Sequence, residues 1–165
     1  MDEQHYIKKI RSAAAVSLWA SVGLGIVTAL YYFASKYRFY ASDYTVRWMT
    51  IAATVLAVLA VGMTLLTLRR QVPALRQASG LDRKLKGYAS MVANVYGTLL
   101  FVVAVLCAAV VLTNRNVLFM LVMVVAMVMF LAYPNPYRVK HDLGLTDEQM
   151  SSLYGDKYLP ANDEQ

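Results

Sequence analysis

The chain has 165 residues, of which 59% are hydrophobic and 16% are charged, and its formal net charge is +6. Globular domains carry about 25% charged residues, so this composition argues against a soluble globular protein. The single cysteine, Cys107, excludes an internal disulfide and the cysteine-based zinc motifs. Because uncharged stretches use more than half of these residues, they leave no room for a separate soluble domain of about 50 residues or more.

Four long stretches contain no charged residue: residues 12–35, 48–68, 87–114 and 116–137. At a rise of about 1.5 Å per residue, each is long enough as a helix to cross a hydrocarbon core of about 30 Å. They are apolar nearly all round, whereas a surface helix of a soluble protein has one polar face. The sequence therefore predicts an all-α integral membrane protein with four transmembrane helices in an antiparallel bundle. The predicted spans cover about residues 12–35, 48–68, 88–113 and 116–133.

The basic residues predict which side of the membrane each segment faces. Twelve of the sixteen lie before span one, between spans two and three, or after span four, and the other four are Lys36, Arg38, Arg47 and Arg115. Short loops rich in Lys and Arg face the cytoplasm. We therefore expect a cytoplasmic lead at residues 1–11, a transmembrane domain at 12–137 and a cytoplasmic tail at 138–165. Span one is too long an apolar run for a cleaved signal peptide.

The connection between spans one and two is rich in aromatic residues. Amphipathic rings favour the level of the lipid headgroups, where the ring body is apolar and its tip is wet. We expect an interfacial aromatic belt formed by Tyr31, Tyr32, Tyr37, Tyr40, Tyr44 and Trp48. A docking surface for a partner on the outer side is the alternative.

The connection between spans two and three, residues 69–86, is strongly basic. We expect a cytoplasmic basic loop that carries Arg69, Arg70, Arg76, Arg83, Lys84 and Lys86 and sets the topology. The alternative is a basic amphipathic turn that lies on anionic headgroups. Nucleic-acid binding is not expected, because this connection has no aromatic residue on which a base could stack.

Spans three and four are separated by residues 113–116 alone, which predicts a helical hairpin. Span four contains several methionines, but Met120, Met123 and Met127 follow an ordinary helical stripe. Methionine is a common gap filler in cores, and no cysteine or histidine lies nearby, so metal conduction is not expected. Two prolines, Pro134 and Pro136, are expected to end the span.

The tail has one recognisable element. Thr146 and Gln149 fit a capping box, in which each side chain satisfies a backbone N–H of the other residue. This spacing predicts a short helix from about Asp147 to Tyr154, closed by Gly155. The apolar residues of the tail predict docking on the membrane surface, on the bundle or on another protein, and they are Leu143, Leu145, Met150, Leu153, Tyr154 and Tyr158.

The predicted spans contain no Asp, Glu, Lys, Arg or His. A proton-coupled transporter normally needs a titratable group near the midplane, so this class is not expected. The amide of Asn94 cannot be satisfied within its own helix, and we expect it to make an interhelical polar contact, with a polar cavity lining as the alternative. Small residues four apart also favour close helix packing, at Ser21/Gly25, Ala53/Ala57 and Ala93/Gly97.

The sequence offers no catalytic, cofactor or metal motif. His5 and His141 lie on different tails, and there is no GxSxG or glycine-rich phosphate loop. We therefore expect neither an enzyme nor a bound cofactor or metal.

The expected function is that of a non-catalytic small integral-membrane subunit, adaptor or assembly factor that acts through protein–protein contacts. An oligomeric passive channel or carrier for a small or hydrophobic molecule is the alternative. The expected partners are the lipid bilayer and another membrane protein or a second copy. Short loops, the lack of disulfides and the charge asymmetry favour a bacterial cytoplasmic (inner) membrane.

Overall fold

The structure is a computed structural model that describes residues 3–34 and 42–155. The predicted belt residues Tyr37 and Tyr40, and Tyr158 of the tail, lie outside the described residues. Within the described ranges the chain is helical and has no strand. Its helices are α1 (Glu3–Ala34), α2 (Asp43–Gln77), α3 (Leu81–Thr113), α4 (Asn116–Leu131), α5 (Pro136–Leu143) and α6 (Asp147–Tyr154).

Three of these helices, α1, α2 and α3, are individually long and apolar enough to cross a membrane. Helix α4 has 16 residues, which is about 24 Å and shorter than a hydrocarbon core of about 30 Å. It qualifies as a span only together with α5, from which it is bent by 72°. The described chain thus has three candidate spans, or four if the bent pair counts as one. This is consistent with a multi-pass membrane protein.

The long basic loop expected between spans two and three is not present, and that prediction is wrong. Helix α2 continues through Pro73 to Gln77, and α3 begins at Leu81, so only residues 78–80 connect them. The six basic residues therefore lie on helices. The last turns of α2 and the first turns of α3 pack closely against each other. A Cβ added at Gly87 would overlap with the side chain of Leu75. Glycine allows this close approach of α2 and α3.

Helix α3 is the centre of the helical core, because it contacts α1, α2 and α4. Most of the fully buried residues of α2 are small, and they include Ala53, Ala57 and Ala60. Small side chains let two helix backbones approach closely. Helix α1 runs antiparallel to α4, as the contacts Ser21 to Met129 and Tyr32 to Asn116 show.

The chain turns sharply after α4, where Pro134 and Pro136 follow the helix and Pro136 begins α5. The Asn135 side chain accepts a hydrogen bond from the backbone N–H of Arg138 at 2.7 Å, and Pro136 occupies the first turn. Proline suits this position because the first N–H groups of a helix have no intrahelical partner. Helix α5 was not predicted. Helix α6 has the predicted bounds, and both hydrogen bonds of its capping box are present.

The tail docks on the helical core, which is one of the three surfaces expected for it: the membrane surface, the bundle or another protein. Helix α5 packs on α2, and α6 packs on α1. The Tyr88 hydroxyl donates to the Asp142 carboxylate at 3.1 Å, and the Lys84 ammonium donates to the Leu143 carbonyl at 3.1 Å. The apolar residues of the tail are buried in this contact, and they include Val139, Leu143, Leu145, Met150 and Leu153.

Candidate functional site

Helix α3 is the most buried of the candidate spans, yet it leaves one face exposed. We call this exposed face the small-residue face of α3, and it consists of Ser90, Ala93, Asn94, Gly97, Thr98, Phe101, Ala104 and Ala108. In membrane proteins, small and weakly polar residues are enriched where helices pack against one another. The composition of this face is therefore that of a helix–helix contact, although no helix of the described chain covers it.

Asn94 lies beside a groove of about 440 Å³ between α2 and α3. Thr64 and Thr67 of α2 and Thr98 of α3 supply the other polar groups of this groove, among apolar neighbours such as Phe101. None of the hydrogen bonds among the described residues uses the Asn94 amide. A polar group without a partner is costly in hydrocarbon. The contact expected between Asn94 and another helix stays a prediction, and such a helix would lie outside the described chain.

The three pairs of small residues found in the sequence have different environments. Ala53 and Ala57 are buried against α3. Ser21 is buried at the contact of α1 with α4, where a Cβ added to Gly25 would meet Val122 at 3.9 Å. The third pair, Ala93/Gly97, is exposed, and a Cβ added at position 97 would have no neighbouring atom within 4 Å. Only this third pair is left open within the described ranges.

The described aromatic belt residues lie around one end of the helical core. Tyr32 is half-buried, stacks on Phe119 and hydrogen-bonds to Asn116 at the start of α4. Tyr31, Tyr44 and Trp48 are exposed, and the Tyr44 and Trp48 rings are 6.1 Å apart. Their location at a lipid interface remains a prediction.

Two of the basic residues predicted to lie in a loop hold the end of α5. Arg76 donates a hydrogen bond to the carbonyl of His141, and Lys84 donates to the carbonyl of Leu143. The last carbonyls of a helix have no intrahelical partner, so cations are favourable there. No sequence pattern indicated this role, because α5 itself was not predicted. Four other basic residues remain exposed on α2 and α3, and they are Arg69, Arg70, Arg83 and Lys86.

Among the described residues, no group of three or more His, Cys, Asp and Glu side chains could hold a metal ion. Cys107 is buried in α3, and His141 is exposed beside Asp142 at 3.6 Å.

The chain matches no protein-family model, no curated protein and no solved structure with which it was compared. The function is therefore inferred from the surfaces of the molecule.

Proposed function

We propose that this chain is a non-catalytic integral-membrane subunit, adaptor or assembly factor that binds a transmembrane helix of another membrane protein. The binding surface is the small-residue face of α3. The observation that carries this proposal is the exposed Asn94 amide, which has no hydrogen-bond partner among the described residues. Asn94 lies about 10 Å along the helix from Gly87, inside the uncharged stretch, so lipid would be its alternative surroundings.

The chemistry of the face defines the partner helix. Ala93 and Gly97 allow a close approach of backbones, so the partner needs small residues at the point of contact. A Ser, Thr, Asn or Gln on that helix would exchange a hydrogen bond with Asn94. In membranes such a bond contributes about 1–2 kcal/mol in model peptides and less in some proteins. Most of the affinity would therefore come from packing.

The charge distribution supports an orientation in which both chain ends and the connection between α2 and α3 face the cytoplasm. The basic residues at the end of α2, at the start of α3 and at both chain ends favour the cytoplasmic side. The short connections of the chain fit a bacterial cytoplasmic membrane.

A passive channel or carrier is the second candidate, and the polar groove between α2 and α3 supports it. Thr64, Thr67, Asn94 and Thr98 line this groove on the outside of the helical core. A pathway through the membrane would thus form only between several copies whose grooves face one another.

The test is to purify the tagged protein from its native membrane in mild detergent and to quantify every protein that accompanies it. We expect one membrane protein at constant stoichiometry. Gly97→Leu should abolish this association, because the added side chain fills the face on which the partner packs. Asn94→Leu should weaken the association by removing the amide.

The matched control is Gly23→Leu on α1, where an added Cβ also has no neighbour within 4 Å. Both changes add the same side chain and gain about 1 kcal/mol of helix propensity, so they differ only in the face that they alter. Retention of the partner by Gly97→Leu would contradict the role of α3. A homo-oligomer with no other protein would favour the channel or carrier, which flux into vesicles then tests.

A further inference from the structure

A second surface lies where the start of α1 meets the end of α4 and α6. It is a basic pocket of about 520 Å³ with an open mouth, lined by Lys8, Arg11 and Ser12 of α1, Tyr133, and Tyr154 of α6. Lys8 and Arg11 are exposed, and neither forms an ion pair among the described residues. Among the described residues, the lining of the pocket includes no acidic side chain. Its charge therefore favours an anion.

Tyr154, which lines this pocket, carries an unsatisfied hydrogen-bond donor. Its hydroxyl is buried and has no hydrogen-bond partner among the described residues. Burial raises the pKa of Tyr154 to about 12, so the hydroxyl keeps its proton at neutral pH, while the nearby Arg11 acts in the opposite direction. A buried donor without a partner is destabilising unless something accepts its hydrogen bond. An anionic oxygen held by the two cations would be such an acceptor.

An apolar groove lies next to the basic pocket along α1. This groove, of about 600 Å³, lies between α1 and α4 and is lined by Leu18, Trp19, Val22, Met123, Met127 and Phe130, among others. Ala15 of the pocket is one helical turn before Leu18, so the two surfaces share one face of α1, and Tyr133 of the pocket follows the end of α4, three residues after Phe130. From Met123 to Phe130 the groove extends about 10 Å along α4.

We propose that the basic pocket and the groove together bind one anionic glycerophospholipid. Lys8 and Arg11 hold its phosphate, the Tyr154 hydroxyl donates a hydrogen bond to a phosphate oxygen, and one acyl chain lies along the groove. The two surfaces fit an amphipathic ligand, because a cationic pocket lies next to an apolar groove along α1. A soluble anion would use the pocket alone. This site is separate from the small-residue face of α3 and does not depend on the function proposed for that face.

The chain offers an optical probe for the test, because one of its two tryptophans, Trp19, lines the groove. In the Trp48→Phe background, the full chain is reconstituted in phosphatidylcholine vesicles. A small fraction of the lipid is then either brominated phosphatidylglycerol or brominated phosphatidylcholine, whose bromines quench tryptophan fluorescence on contact. At equal mole fraction, phosphatidylglycerol should quench Trp19 several-fold more effectively. Equal quenching by the two lipids would overturn the proposal.

Two substitutions separate a bound lipid from general attraction to a basic surface. Arg11→Gln should lower the preference for phosphatidylglycerol about fivefold, the effect of one basic residue near an anionic surface. Lys9→Gln is the control, because it removes the same charge from a residue that is two positions before Arg11 and does not line the pocket. This variant should retain most of the preference. Equal losses in both variants would overturn the site.

Tyr154→Phe tests the hydroxyl without changing the charge. In detergent without phosphatidylglycerol, this variant should be at least as thermostable as the wild type, because it loses only an unsatisfied donor. Added phosphatidylglycerol should then stabilise it less than the wild type. An equal gain in thermal stability for both proteins would exclude the hydrogen bond from Tyr154 to the lipid.

Discussion

Helix α6 should open separately from the rest of the molecule when Met150 is shortened to alanine. The helix has eight residues, and an isolated helix of that length is marginal in water, so packing must stabilise it. Met150 is 0% exposed and Leu153 is 3% exposed. Replacing a fully buried methionine by alanine costs about 2–5 kcal/mol, through lost burial and the cavity left behind.

This loss converts directly into a change in the population of the open state. Each 1.4 kcal/mol is a factor of about ten, so the open state of α6 should rise by about 30-fold to several thousand-fold. Helix α6 packs mainly on α1 and α5. Segments with few packing partners open locally, at a lower free energy than global unfolding. The effect should therefore be confined to the tail.

Hydrogen exchange followed by mass spectrometry measures this opening. The N–H of Met150 donates to the Thr146 carbonyl at 3.0 Å, and exchange at such amides should accelerate by at least about 30-fold in Met150→Ala. Peptides from the middle of α3 should exchange as in the wild type. Ser151→Ala, an exposed change on the same helix, is the control and should have little effect. Equal acceleration in α3 and α6 would refute local opening, and so would an unchanged α6.

The remaining predictions concern topology and pH. Reporter fusions at Ser42 and Gly80, which flank α2, should lie on opposite sides of the membrane, and the same side for both would contradict a transmembrane α2. The raised pKa of Tyr154, about 12 against an ordinary 10.0, should stabilise α6 fully below pH 10 and lose that contribution as the pH rises towards 12, because only the opened tail ionises readily. The melting temperature of the wild type should then fall more steeply over this range than that of Tyr154→Phe, and parallel curves would contradict the burial of the hydroxyl.

Local interactions explain which parts of the fold the sequence predicted. The capping box of α6 joins Thr146 and Gln149, three residues apart, so its bounds can be read from a few neighbouring residues. The end of α4 follows from Pro134 and Pro136 for the same reason. The three longest apolar helices follow from the length of their uncharged stretches, which needs no knowledge of packing.

The errors arise where distant contacts outweigh local preference. Pro73 and the basic residues around it are typical of a loop, but Leu75 packs against Gly87 and Arg76 binds a carbonyl of α5, so α2 stays helical. Helix α4 ends at Leu131, two residues before its predicted end, and this smaller difference lies next to the local turn of 72° into α5. The contacts of Leu75 and Arg76 join residues that are distant in the sequence or on another helix, so a local pattern does not show them.

By itself, the sequence determined that long uncharged segments are helical and apolar enough to cross a membrane, and it predicts a partner for Asn94 outside its own helix. Tertiary structure decided which of the three small-residue pairs is left exposed, since exposure depends on neighbours far away in the chain. It also brought Arg11 and Tyr154 to one pocket, although they lie near opposite ends of the described chain. Periodicity and capping are local properties, whereas a surface is defined by what packs against it.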